Sequence, residues 1–178
     1  MAESAALLVD DILPEAPVLQ WVLSFPYALR FLFATRPAVM GGVLGIVYRT
    51  LATHQFRKAG YTQRSARTGA VTLIQRFGSA LNLNIHFHML LLDGVYTSRH
   101  TAKDKPRFQR VKAPDRAELE QLVYTISERT GRYLERQGLL VRDLDNSYLA
   151  LEPVDETGLE GVLGSSITYR IAVGPQQG

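Results

Sequence analysis

Cysteine is missing altogether from the 178 residues. Disulfides and thiolate metal sites are therefore excluded, and any metal must be held by His, Asp, Glu, Asn or Gln. Acid is missing from a long internal stretch. Between Ala16 and Leu92 there is no Asp or Glu, against eight bases: Arg30, Arg36, Arg49, Arg57, Lys58, Arg64, Arg67 and Arg76. Long apolar runs are missing too. The longest, residues 38–48, is flanked by Arg36 and Arg49 and is too short to cross a bilayer. The N-terminal segment MAESAALLVDDILPE is acidic, which excludes a secretory signal with its basic start. The resulting expectation is a soluble cytoplasmic protein with no membrane partner.

What is present is ordinary for a globular chain: 46% hydrophobic residues and 21% charged, enough for one domain with a sizeable core. The net charge of +3 is unevenly spread. Residues 93–113 add six bases against two acids, whereas the stretch from Pro114 onward has eleven acids against six bases. An acid-free basic block suits a polyanion; a solvated basic face with no partner is the plainer reading.

The pattern of apolar residues predicts a short helix over residues 1–13, a strand over 18–25 and a short helix over 27–34. A longer helix is expected over 37–58, with Thr35 as its cap, Pro37 in its first turn and Gly60 as its stop. Gly41, Gly42 and Gly45 weaken that helix, which points to close packing on their face. Strands follow at 69–77 and 84–92, then a small hairpin or polar excursion over 95–113. The clearest helix is 115–137, with Asp115 and Glu118 placed for a capping box, Leu119, Leu122, Val123, Ile126, Tyr133 and Leu134 on one face, and Gly138 at its end. Residues 139–165 look irregular, and 166–173 alternates as a strand. The order strand, helix, strand, strand, helix, strand is the α+β ferredoxin-like pattern, with the 84–92 strand central in an antiparallel sheet and the helices on one face. That fold hosts many functions.

His86 and His88 stand two apart on the central strand, so both rings project from one face. Two such imidazoles can share a divalent metal; two histidines hydrogen-bonded to neighbours would give the same spacing. Gln75 lies on the preceding strand among Val71, Leu73 and Phe77, and a hairpin would set it across from His86 to His88. Its amide oxygen suits Mg²⁺ or Mn²⁺ beside phosphate; a Gln hydrogen-bonded to strand backbone, or one on a solvent face, is the plainer reading. The sequence alone points to no metal role for His54 or His100, and both read as surface or packing residues.

His86-Phe87-His88 on a central strand resembles the HUH signature of single-strand endonucleases. The wider string GAVTLIQRFGSALNLNIHFHMLLLDGVY, with QWVLSFPYALRFLFA before it and ITYRIAVGP after it, is similar to rolling-circle insertion-sequence transposases of the common-region type. The resemblance covers nearly the whole chain and implies one catalytic core over residues 1–178. It implies a divalent metal, Mg²⁺ or Mn²⁺, on His86, His88 and Gln75, where relatives often carry His in place of Gln75. It implies nicking and strand transfer on single-stranded DNA at transposon ends, through a phosphotyrosine link. In relatives the nucleophilic tyrosine comes well after the VGP segment, and a cysteine-rich zinc module precedes the region matching MAESAALL. Both ends are therefore expected to be cut and the chain inactive alone, with Tyr124, Tyr133 and Tyr169 packing the core. The competing expectation is a single-stranded DNA-binding remnant without metal chemistry. DNA contacts are expected from Arg64, Arg67, Arg76, Lys103, Lys105 and Arg107, with Phe108, beside Arg107 and Arg110, stacking on a base.

Overall fold

The computed structural model describes residues 15–77, 83–97, 106–142 and 147–150. The predicted helix over 1–13 and strand over 166–173 lie outside these, as do His100, Lys103, Lys105 and Tyr169. Among the described residues the chain is mixed α+β. Its strands are β1 (Val18–Ser24), β2 (Ala66–Arg67), β3 (Ala70–Phe77), β4 (Leu83–Leu92), β5 (Gly94–Thr97), β6 (Arg107–Arg110), β7 (Leu140–Arg142) and β8 (Ser147–Leu149). Its helices are α1 (Tyr27–Thr35), α2 (Pro37–Lys58) and α3 (Arg116–Arg136). Three sheets form, in the orders β1-β4-β3, β2-β5-β6 and β7-β8. The histidine strand β4 is central in the first, as its sequence requires: Ile85, Phe87, Met89 and Leu91 are fully buried. The ferredoxin-like order as a whole needs a strand outside the described residues.

The described residues fall into two compact units, bounded as Met1–Trp21, Ala52–Thr72 and Met89–Ala113 for the first, and Val22–Leu51, Leu73–His88 and Pro114–Gly178 for the second. In the first unit β5 pairs antiparallel with both β2 and β6. The excursion over 95–113 is therefore a hairpin, and the two-residue β2 joins it. Buried Gln55 fixes the approach to β5. Its amide Nε2 donates to the Leu92 carbonyl at 2.6 Å, while Thr68 donates through Oγ1 to Gln55 Oε1 at 2.9 Å and to the Gly94 carbonyl at 3.0 Å. Gly60 ends α2 with φ +80°, and Tyr61 N–H reaches back to the Phe56 carbonyl, the left-handed stop that glycine permits.

In the second unit Phe25 stacks edge-on against Phe33 and against Phe87, at 5.0 and 4.9 Å between ring centres. Helix α3 opens with the capping box the sequence predicts: Asp115 Oδ1 accepts from Glu118 N–H and Glu118 Oε2 accepts from Asp115 N–H, both at 2.9 Å. Its buried face is Leu122, Ile126, Thr130, Gly131 and Leu134. Val123, expected there, is 38% exposed, because it sits one residue round from Leu122 and off the stripe.

Three further expectations are corrected. Thr35 does not cap α2; its hydroxyl bonds back to the Phe31 and Leu32 carbonyls of α1, the local competition that Ser and Thr offer within helices. Within 139–165, Leu140–Arg142 and Ser147–Leu149 are a paired hairpin rather than irregular chain. Of the three helix glycines only Gly42 is closely packed against another part of the fold: a Cβ there would overlap the hydroxyl and ring of Tyr133, whereas one on Gly41 meets nothing and one on Gly45 meets only the flexible end of Arg49.

Gly42→Ala is accordingly expected to cost about 1–3 kcal/mol by overpacking. In a Tyr133→Leu background the same change should cost nothing or stabilise slightly, since alanine is the better helix former by ~1 kcal/mol. Denaturant unfolding of the four-member cycle checks this; an equal penalty in both backgrounds would rule out the Tyr133 ring as its source.

Candidate metal and nucleic-acid sites

Alternation along β4 sorts its residues into a buried apolar row and a half-buried, mostly polar one. Asn84, His86, His88 and Leu90 share the second face, and Phe87 between the histidines is sealed in the core. The two imidazole planes lie within 18° of parallel with ring centres 6.0 Å apart, as successive same-face positions of a strand impose.

The hydrogen bonds define which nitrogen of each ring carries a proton. His86 Nδ1 lies 2.6 Å from the Asn84 carbonyl oxygen, which can only accept. Nδ1 is therefore the donor, and in the neutral ring Nε2 keeps its lone pair, the arrangement by which metal-binding histidines are commonly held. Gln75 Nε2 donates to the Phe77 carbonyl at 3.0 Å, which orients the amide so that Oε1 is the atom 3.1 Å from His88 Nε2. His88 donates to it through Nε2.

That separation also suits two neighbouring ligands of one ion: bonds of ~2.1 Å at a right angle place their atoms about 3 Å apart. By chemical type, the Gln75 amide oxygen and the two imidazole nitrogens, with open positions for water or phosphate, are donors that a small divalent ion accepts. Asn84 Oδ1, two residues before His86 on the same face, is buried with no hydrogen-bond partner, an unsatisfied acceptor suited to a bound water or substrate group. Among the described residues no three His, Cys, Asp or Glu come together as a metal-holding group. Gln75 is exposed, the solvent-face alternative, as are Leu73, Ile74, Arg76 and Phe77 around it. β3 is an edge strand in the order β1-β4-β3, so its outer end is not covered as a central strand would be.

The other expected DNA-binding residues fall in different places. Arg64, Arg67 and Arg107 are exposed in the first unit and Arg76 is exposed in the second. Arg107 lies on the opposite face of β6 from Phe108; Arg110, two residues on, shares the face of Phe108. Strand parity could have shown this in the sequence. Tyr124 is 57% exposed rather than in the core, while half-buried Tyr133 packs over Gly42. No single helix among the described residues is long and apolar enough to cross a membrane.

The family model Y2_Tnp, described as "Putative transposase", matches residues 69–157. The matched half of the chain contains β3, β4 and α3, with His86, His88 and Gln75, and the chain belongs to this transposase family. No curated protein and no solved structure matches it.

The tautomer assignment is directly measurable. Long-range ¹⁵N–¹H correlation spectra at mildly alkaline pH, where imidazoles are neutral, should show His86 protonated on Nδ1 and His88 on Nε2. A proton on His86 Nε2 would contradict the Asn84 hydrogen bond.

Proposed function

We propose that this transposase-family chain carries the metal-dependent single-strand nicking site of a rolling-circle, HUH-type enzyme, with His86, His88 and Gln75 as ligands to Mg²⁺ or Mn²⁺. The observation that carries this reading is the 3.1 Å approach of Gln75 Oε1 to His88 Nε2 beside a second imidazole whose Nδ1 is tied to backbone. The ion would supply Lewis-acid polarisation of a scissile phosphate. The protein's own share is positional. Asn84 O orients His86, Phe77 O orients the Gln75 amide, and Phe87 anchors the strand between the two rings. For its Nε2 to serve as a ligand, the neutral His88 ring would have to carry its proton on Nδ1 instead.

Single-stranded DNA is the substrate class, supported by the exposed bases Arg64, Arg67, Arg76 and Arg107. The attacking group in this reading is a tyrosine, and none of the described tyrosines is assigned the role. A second reading, a single-stranded DNA-binding protein without metal chemistry, is favoured by the His88–Gln75 pair taken as a plain hydrogen bond.

Mn²⁺ titration by calorimetry separates the two. Wild type should bind one ion, His86→Ala/His88→Ala should bind none, and Gln75→Ala should weaken binding by more than the roughly tenfold that loss of an outer-shell partner costs. Gln75→His should tighten it, imidazole being the stronger donor to Mn²⁺ at this position. Heats unchanged in the double alanine variant would exclude the histidines as ligands and leave the second reading.

A further inference from the structure

The β2-β5-β6 sheet of the first unit has one face that the metal-site reading does not use. Residues opposite one another in antiparallel strands point the same way, and the register sets Arg67, Tyr96 and Phe108 in one row across the three strands, with Gly94 opposite Arg110 in the next row. The reverse face carries Ala66 and Val95, both fully buried, so the sheet has its core on one side and the aromatic row on the other. Tyr96 and Phe108 are half-buried, with ring centres 5.1 Å apart and planes tilted by 60°. Phe108 lies across Gly94, where a Cβ would overlap the Gln109 carbonyl oxygen and crowd the Phe108 ring. The glycine thus lets one aromatic ring lie close over the sheet.

Charge flanks the rings. Arg67 spends one amino group on the carbonyls of Gln63 and Ala66, at 2.6 and 2.9 Å, which holds its guanidinium in place at the end of the row. Arg110 is anchored through Nε to buried Asp93 at 2.8 Å, yet its side chain is 72% exposed. Its two terminal amino groups keep the fork that suits a phosphate. The Gln55–Thr68 network on Leu92 and Gly94 ties down the start of β5.

We infer that this face is a base-stacking platform for single-stranded DNA, with Tyr96 and Phe108 receiving bases and Arg67 and Arg110 receiving the adjoining phosphates. Aromatic rings on an open sheet flanked by arginine are the chemistry that holds unpaired bases without reading their sequence. A duplex, whose bases are already stacked on each other, offers no π-face to it. The inference rests on the single-stranded DNA reading above but not on the metal.

The test is an anisotropy titration in EDTA with a labelled oligothymidylate and a matched abasic oligomer. Wild type should prefer the oligothymidylate. Phe108→Leu and Tyr96→Leu, which keep apolar bulk but lose the π-face, should each weaken it about tenfold while binding the abasic oligomer as wild type does. Arg67→Ala/Arg110→Ala should weaken both oligomers and lower the salt slope by roughly 0.7 for each phosphate no longer neutralised. On wild type itself, photocrosslinking with 5-iodouracil in the oligonucleotide should mark Tyr96 or Phe108, which covers the case of a leucine variant that fails to fold.

Equal affinity of the leucine variants for oligothymidylate, crosslinks only elsewhere, or equal binding of duplex DNA would overturn the platform and leave the nicking site standing. No binding of single-stranded DNA by wild type would overturn both. Base-dependent binding that persists in a chain unable to take Mn²⁺ would remove the nicking site and keep the platform.

Discussion

The geometry of the candidate metal site depends on one burial: Phe87, sealed in the core between two histidines and stacked edge-on against Phe25, which in turn meets Phe33. Side chains on a strand alternate with a period of two, so β4 has two possible settings, related by a one-residue slip. The alternative would turn Ile85, Phe87, Met89 and Leu91 outward and bury both imidazoles. Each of those apolar side chains contributes roughly 1.5–3 kcal/mol by leaving water. Four together match the about 5–15 kcal/mol by which a whole domain is stable, so the slipped strand is not populated. The histidine positions follow from the apolar residues around them, and the imidazoles need contribute nothing to folding in order to be held side by side.

This is also why the strand and its pair of rings were legible in the sequence while Gln75 was only half legible. The alternation of β4 is strong because both of its neighbours exist and its inner row is wholly apolar. The register that brings Gln75 to His88 followed from a hairpin of the right length. Its exposure stayed one of two open alternatives, because an apolar pattern cannot tell a covered strand from an edge strand whose outer end is bare. Helices α2 and α3 were readable through their stops, Gly60 and Gly138, and through the Asp115–Glu118 box, since those signals depend on local backbone geometry alone. β2 has two residues, too few for any period. β7 and β8 pair over three residues each, and only tertiary pairing distinguishes them from loop. Thr35 has two acceptors within reach in its own helix, and nothing local in the sequence says which way its hydroxyl turns.

The uneven placement of acid along the chain acquires a physical sense beside this geometry. In the first unit Asp93 is buried against Arg110, so its negative charge is already engaged by a base that keeps most of its own surface in water. In the second unit the proposed ligands are two imidazoles and an amide, all neutral. A metal bound by carboxylates has part of its charge cancelled before a phosphate arrives; one bound by neutral donors keeps its full double charge for the phosphate oxygens and for the developing charge of the transition state. In the proposed site the same choice would weaken binding of the ion in the absence of DNA, because no anionic ligand draws it in.

That trade has a consequence for how such a site would work. With neutral ligands, the phosphate is itself the anion that completes the coordination shell, so ion and DNA should bind cooperatively: each raises the affinity of the other by the same factor, as linkage requires. A carboxylate at position 75 would reverse the balance. It would hold the ion more tightly in the free protein and compete with the phosphate for its charge. Gln75, close to glutamate in shape but uncharged, is the residue to expect where the ion is meant to arrive with its substrate rather than reside alone. The acid-free run from Ala16 to Leu92 extends the same logic from the ligand set to the surrounding chain, which offers a polyanion bases to pair with and no carboxylate to repel it.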